Sequence, residues 1–103
     1  MQKQLSEFIG TATLALVVVG SGAMAENLSS DVGLQLLINA AATGTALWLL
    51  ITLFAPISGA HFNPLVSAIA YFRKELTAAQ TIAFFVAQIL GGSLGAIIAN
   101  LMF

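Results

Sequence analysis

Residues 57–75 read ISGAHFNPLVSAIAYFRKE. The centre, Ser58-Gly59-Ala60-His61-Phe62-Asn63-Pro64, is rich in turn formers and polar groups. The run after it, Leu65 to Phe72, is apolar again but far too short to cross a bilayer, which takes about 20 residues. On either side lie long apolar segments, so the polar stretch is enclosed by membrane-type sequence.

The rest of the chain supports that setting. Of 103 residues, 59% are hydrophobic and only 7% charged, where a soluble domain carries roughly a quarter charged residues. Three stretches are long and apolar enough to span: Leu5 to Ala25, Val32 to Ala55 and Thr77 to Leu101. A formal net charge of -1 gives no basic surface for nucleic acid. With no cysteine there is neither disulfide nor thiolate chemistry. The single histidine has no neighbouring nucleophile, and no metal-ligand spacing or phosphate loop occurs, so neither an enzyme nor a metal or cofactor site is expected. Lys3, an apolar run and Ala23-Met24-Ala25 have the outline of a cleavable leader. Glu7 inside the run and a single basic residue before it favour a retained helix.

Charge sets the orientation. Lys3, Arg73 and Lys74 are the only basic residues, and the Glu26 to Asp31 loop has none. The positive-inside rule puts the N-terminus and the second loop in the cytoplasm and Phe103 on the far side. Small residues at Gly10, Ala12, Gly20, Gly44, Gly91 and Gly95 allow close helix packing, with Gly91 and Gly95 forming a small-xxx-small pair. Glu7 and Gln88 lie deeper than a lipid-facing surface tolerates. A carboxylate at that depth faces a bundle interior with a partner or snorkels to the interface, and Gln88 is expected to hydrogen-bond within the bundle.

Pro56 is expected to end the second helix, since proline lacks an N–H and disfavours helix in the preceding residue. Ser58 to Phe62 would then run extended with free carbonyls. Asn63 is a good N-cap and Pro64 suits the first helical position. A helix from Pro64 to Phe72 is about 14 Å long at about 1.5 Å per residue, roughly half the hydrocarbon core. Arg73 and Lys74 suit its C-terminal end. Two readings fit: a re-entrant half-helix whose N-terminus points to the midplane, or a cytoplasmic loop with a short interfacial helix.

Ser58-Gly59-Ala60-His61-Phe62-Asn63-Pro64 resembles the SGAH-x-NP-A signature of the aquaporin and glycerol-facilitator (major intrinsic protein) family. Glu7-Phe8-Ile9-Gly10-Thr11 is similar to its first-helix EF-x-GT, and Ala87-Gln88 with Gly91 to its third-helix AQ-x-x-G. Leu65 replaces the usual alanine of the signature. The resemblance favours the re-entrant reading and implies an all-α membrane protein: three transmembrane helices plus one half-helix, one half of an inverted-repeat fold. The expected elements are helix 5–25, helix 32–55, re-entrant loop and half-helix 57–73, and helix 77–101.

The resemblance further implies that Asn63 donates to a passing solute and that the carbonyls of Gly59, Ala60 and His61 accept, with Pro64 and Leu65 beside them in the pore lining. Thr43, twenty positions before the motif asparagine, stands where the family narrows its outer pore. A small residue there is linked to neutral solutes such as glycerol or undissociated metalloid acids. In the family the glutamate at the position of Glu7 steadies a re-entrant loop of the other half, leaving Glu7 with no intrachain counterpart. The chain resembles only the first half. The second half supplies the opposing asparagine and a filter arginine, and Val66 occupies the matching position here. The partners implied are the bilayer, a C-terminal half or a second copy, and a small neutral solute. The alternatives to a channel half are a truncated, non-transporting fragment or a membrane-embedded interaction subunit.

Overall fold

The computed structural model describes residues 1–103 as four helices: α1 (Gln2–Leu28), α2 (Val32–Ser58), α3 (Pro64–Phe72) and α4 (Ala78–Met102). Three of them, α1, α2 and α4, are long and apolar enough to cross a membrane. The molecule is 46 Å along its longest axis, matching the about 40–45 Å of a bilayer with its headgroups. Helices α1 and α2 extend beyond the apolar stretches read from the sequence, and α4 matches its stretch to within one residue at each end. Hydropathy marks the hydrocarbon-crossing part of a helix and not the polar turns that continue it.

Each end has a local cause. Asp31 caps α2 by accepting from Leu34 N–H at 3.1 Å. Thr77 and Gln80 form a reciprocal capping box at the start of α4, satisfying donors that the first turn leaves unpaired. Pro56 does not end α2, contrary to expectation. The helix runs on to Ser58, where Gly59 adopts the left-handed conformation (φ 90°) and its N–H bonds to Ala55 C=O at 3.0 Å. Proline removes one ladder bond, but this close to the terminus little ladder remains to be lost, and a left-handed glycine is the stronger stop.

Helix α1 is the centre of the bundle, packed between α2 and α4, and α3 packs on α4 alone. Buried positions on α4 (Thr81, Phe84, Gln88, Gly91, Gly95 and Ala99) recur at three- and four-residue intervals as one stripe. At Gly91 and Gly95 an added Cβ would fall on the carbonyl oxygens of Phe8 and Ala12. The two backbones therefore touch, a closeness only glycine permits. Contacts advance together along both chains, from Phe8 with Gly91 to Ala12 with Gly95, so α1 and α4 run parallel. Lys3 and the Arg73–Lys74 turn consequently lie at one end of the bundle, and the Ser29–Asp31 turn at the other. Between α1 and α2, Asn39 Nδ2 donates to Val18 C=O (2.8 Å) and Ser21 Oγ (3.0 Å).

Candidate functional site

The segment between α2 and α3 folds back into the bundle. Phe62 is buried, its ring edge-on to Phe54 with centroids 6.1 Å apart. It covers Gly10, where any Cβ would collide with the ring. Gly10 lies about 12 Å along α1 from Gln2, counted at about 1.5 Å per residue. The segment is not extended, as the sequence had suggested. Gly59, Ala60 and Phe62 all have positive φ (90°, 52° and 52°). Such values are uncommon in residues other than glycine and persist only where the surroundings hold them.

What holds them is Glu7. Its Oε2 accepts from Ser58 Oγ (2.6 Å) and His61 N–H (3.2 Å), and its Oε1 accepts from Phe62 N–H (2.8 Å) and Gln88 Nε2 (2.9 Å). The side chain is fully buried (0% exposed). Glu7 neither snorkels nor lacks an intrachain partner: it clamps the loop of its own half. The physical need was present in the sequence. A re-entrant loop carries backbone donors with no ladder, and a buried acceptor must meet them. Glu7 is the acid on the helix that the loop reaches.

Gln88, 2% exposed, extends the network. Its Nε2 donates also to Ser67 Oγ at 2.9 Å, which uses both amide hydrogens. Flipping the amide would set its oxygen against the Glu7 carboxylate, so the orientation is fixed by charge. Ser67 Oγ, accepting from Gln88, also lies 2.9 Å from His61 Nδ1, a bond whose direction follows the ring's tautomer. The His61 ring also stands edge-on to Phe84, with centroids 5.3 Å apart. Glycine is favoured at 59 by its φ of 90°, which L side chains rarely adopt, and an added Cβ would also come 3.0 Å from His61 Nε2. Sequence reading missed Ser58 and Ser67. Small hydroxyls flanking a loop carry no signal until the chain is folded around them.

The loop's N–H groups therefore face inward, those of His61 and Phe62 on Glu7 and that of Ala60 on Ser58 Oγ (3.3 Å). The carbonyls of Gly59, Ala60, His61 and Phe62 accept no hydrogen bond within the chain. Asn63 caps α3: its Oδ1 accepts from Leu65 N–H at 2.9 Å, with Pro64 following in the first turn. This fixes the amide so that Nδ2, which bonds to nothing in the chain, projects from an exposed residue. Unpaired acceptors and a two-hydrogen donor sit in consecutive residues, beside the positive end of α3. Such an arrangement can exchange hydrogen bonds with a small polar, uncharged molecule.

The remaining predicted residues are placed as follows. Leu65 and Val66 are exposed on α3, Leu65 by 67%. Gly91 and Gly95 are at the α1–α4 crossing, against the Phe8 and Ala12 carbonyls. Thr43 lies on α2, half-buried, its hydroxyl oxygen covered and without a partner. The structure brings Glu7, Gln88, His61 and the loop together and leaves Thr43 apart from that network.

A family model described as "Major intrinsic protein" matches residues 1–103. Among curated proteins, the Aquaglyceroporin AqpS of Rhizobium meliloti (strain 1021) is 43% identical over 99 residues, covering 96% of this chain and 42% of the relative. An Aquaglyceroporin of Toxoplasma gondii is 38% identical, covering 95% of this chain and 35% of the relative. Aquaporin-8 of Notomys alexis is 36% identical, covering 99% and 37% respectively. The chain thus spans about two fifths of the length of the curated relatives it matches. No solved structure matches it significantly.

Proposed function

The chain belongs to the major intrinsic protein family, and on that premise we propose that it forms one side of a membrane pore for water or small neutral solutes. As a member of a family of passive channels it is not an enzyme, and it is integral to a lipid bilayer. The observation that carries the proposal is the division of polar groups in residues 59–63. Donors are spent inward on Glu7 and Ser58, while four carbonyls and the Asn63 Nδ2 group remain unpaired. Within a membrane, unpaired backbone is tolerated only where it lines a wet path or is buried in protein. A solute shedding water along this strip replaces its lost hydrogen bonds on the carbonyls and on Asn63. The half-helix dipole opposes cations at the same point.

The pore is completed by a second half of inverse topology, whose half-helix meets α3 near the midplane at Asn63, Pro64 and Leu65. A second copy of this chain is a poorer complement. Inversion would set Lys3, Arg73 and Lys74 on the outer side against the positive-inside rule, and Val66 offers no charge to the filter. In this reading the N-terminus is cytoplasmic, in a bacterial plasma membrane. Thr43 narrows the outer pore less than an aromatic side chain would, which suits glycerol or undissociated metalloid acids. The aquaglyceroporin relatives support glycerol as the first solute to try.

The test is reconstitution of the chain in liposomes with and without a C-terminal half from a family member. Glycerol and water flux above background only with both halves supports the proposal. Flux no greater than that of empty vesicles in every combination would overturn it.

A further inference from the structure

The groove between α3 and α4 is lined by none of residues 59–63. The two helices are antiparallel, joined by the turn at residues 73–77, so the groove begins at the membrane surface and runs inward between them. Two hollows adjoin in it and share Tyr71 and Phe72. The inner one, about 340 Å³, is walled by Ala68, Phe72, Ala78, Ile82 and Phe85. Of its two hydroxyls, that of Thr81 is already donated to Thr77 C=O at 2.8 Å, and that of Tyr71 belongs to a residue shared with the outer hollow, so the inner wall is otherwise apolar. The outer one, about 460 Å³, is bordered by Lys74, Glu75, Thr77 and Gln80.

The turn is built to hold Lys74 at that border. Lys74 has φ 63°, its N–H bonds to Tyr71 C=O (3.0 Å), and the next N–H, of Glu75, bonds to Ala70 C=O (2.9 Å). Glu75 brings a negative charge to the same hollow, but it is paired with Arg73 at 3.8 Å. Lys74 has no acidic partner. The groove therefore has an apolar inner part, a polar mouth and one unmatched cation at the level of the headgroups.

We propose that this groove binds one anionic phospholipid of the cytoplasmic leaflet, an acyl chain lying between α3 and α4 and the phosphate at Lys74. The complementarity is of shape along the membrane normal and of charge at the surface. A zwitterionic lipid would fill the inner hollow equally well but would meet Lys74 with a headgroup of no net charge. The inference depends on the chain lying in the bilayer, which its family membership gives, and not on the pore conducting.

The test is native mass spectrometry of the delipidated chain in detergent, titrated with phosphatidylglycerol or phosphatidylcholine of identical acyl chains. Wild type should retain phosphatidylglycerol about fivefold more strongly, the factor given by about 1 kcal/mol for one basic residue at an anionic surface. Lys74→Gln, on an exposed turn where folding is not at risk, should bring the ratio close to one, and Lys74→Arg should keep it. Lys3→Gln, a basic residue at the same end but outside the groove, should leave the ratio unchanged. Ala78→Phe should weaken retention of both lipids without changing their ratio. Millimolar glycerol phosphate should displace neither lipid. Equal retention of the two lipids by wild type would overturn the proposal, as would a preference that survives Lys74→Gln. Displacement by glycerol phosphate, which would mark a soluble-anion site, would overturn it too.

Discussion

Replacing Glu7 perturbs the site at its centre. Glu7→Ala removes the acceptor from four donors at once: Ser58 Oγ, His61 N–H, Phe62 N–H and Gln88 Nε2. Ser58 can turn its hydroxyl elsewhere, but the two backbone donors cannot move without unfolding the loop. A buried unpaired donor costs about 1–3 kcal/mol, whereas hydrogen bonds measured inside membranes average about 0.6 kcal/mol. For the clamp as a whole we expect a loss of about 3–6 kcal/mol in the free energy of opening the loop. Glu7→Gln should be much milder. Its oxygen can serve Phe62 and Gln88 while its amide donates to a rotated Ser58 hydroxyl, leaving only His61 N–H, the longest bond at 3.2 Å, unserved. About 1–2 kcal/mol is then lost. Amide hydrogen exchange of the purified protein reads this directly, since each 1.4 kcal/mol is about a tenfold change in opening. The Phe62 amide should exchange at least 100-fold faster in Glu7→Ala and about tenfold faster in Glu7→Gln. Exchange at Phe62 unchanged in Glu7→Ala would refute the clamp.

Three further outcomes are expected. Gly95→Ala should destabilise the bundle by about 1–3 kcal/mol through overpacking against Ala12 C=O. Gly44→Ala, where a Cβ meets nothing within 4 Å, should leave thermal unfolding unchanged or slightly raise it; equal losses at both positions would contradict the close α1–α4 crossing. Cysteine at 63 should react slowly with bulky membrane-impermeant reagents and cysteine at 74 rapidly from the cytoplasmic side, and equally fast labelling of both would make the segment a surface loop. Thr43→Trp should cut glycerol flux more than water flux in a completed pore; an unchanged ratio would remove Thr43 from the constriction.

The fold was legible where local chemistry acts alone. Asn63-Pro64 starts α3 because one residue caps and the next needs no N–H, and Arg73-Lys74 follows its end at Phe72. The small-xxx-small pair at Gly91 and Gly95 lies where two helices touch. The end of α2 was misread because Pro56 was weighed without Gly59, whose left-handed conformation terminates the helix three residues later. The site was legible as a motif but not as a mechanism. That Asn63 could donate follows from its amide. That its Nδ2 is left free follows only from Oδ1 being engaged by Leu65 N–H. The partner of Glu7 was assigned to another half, although the donors of the chain's own loop needed an acceptor. Ser67, which joins His61 to Gln88, depends on packing between α3 and α4 that no local pattern in the sequence encodes.

The central claim is that the strip from Gly59 to Asn63 lines a path for neutral solutes. The most direct measurement is glycerol flux through proteoliposomes holding this chain with a complementary half, comparing wild type with Asn63→Asp. Aspartate keeps an oxygen to accept from Leu65 N–H, so α3 stays capped. It removes the Nδ2 donor and sets a carboxylate in the path, at a cost of a few kcal/mol for a charge at membrane depth. The account predicts that Asn63→Asp incorporates to a similar level and conducts at background. Flux equal to wild type, at equal incorporation, would contradict it.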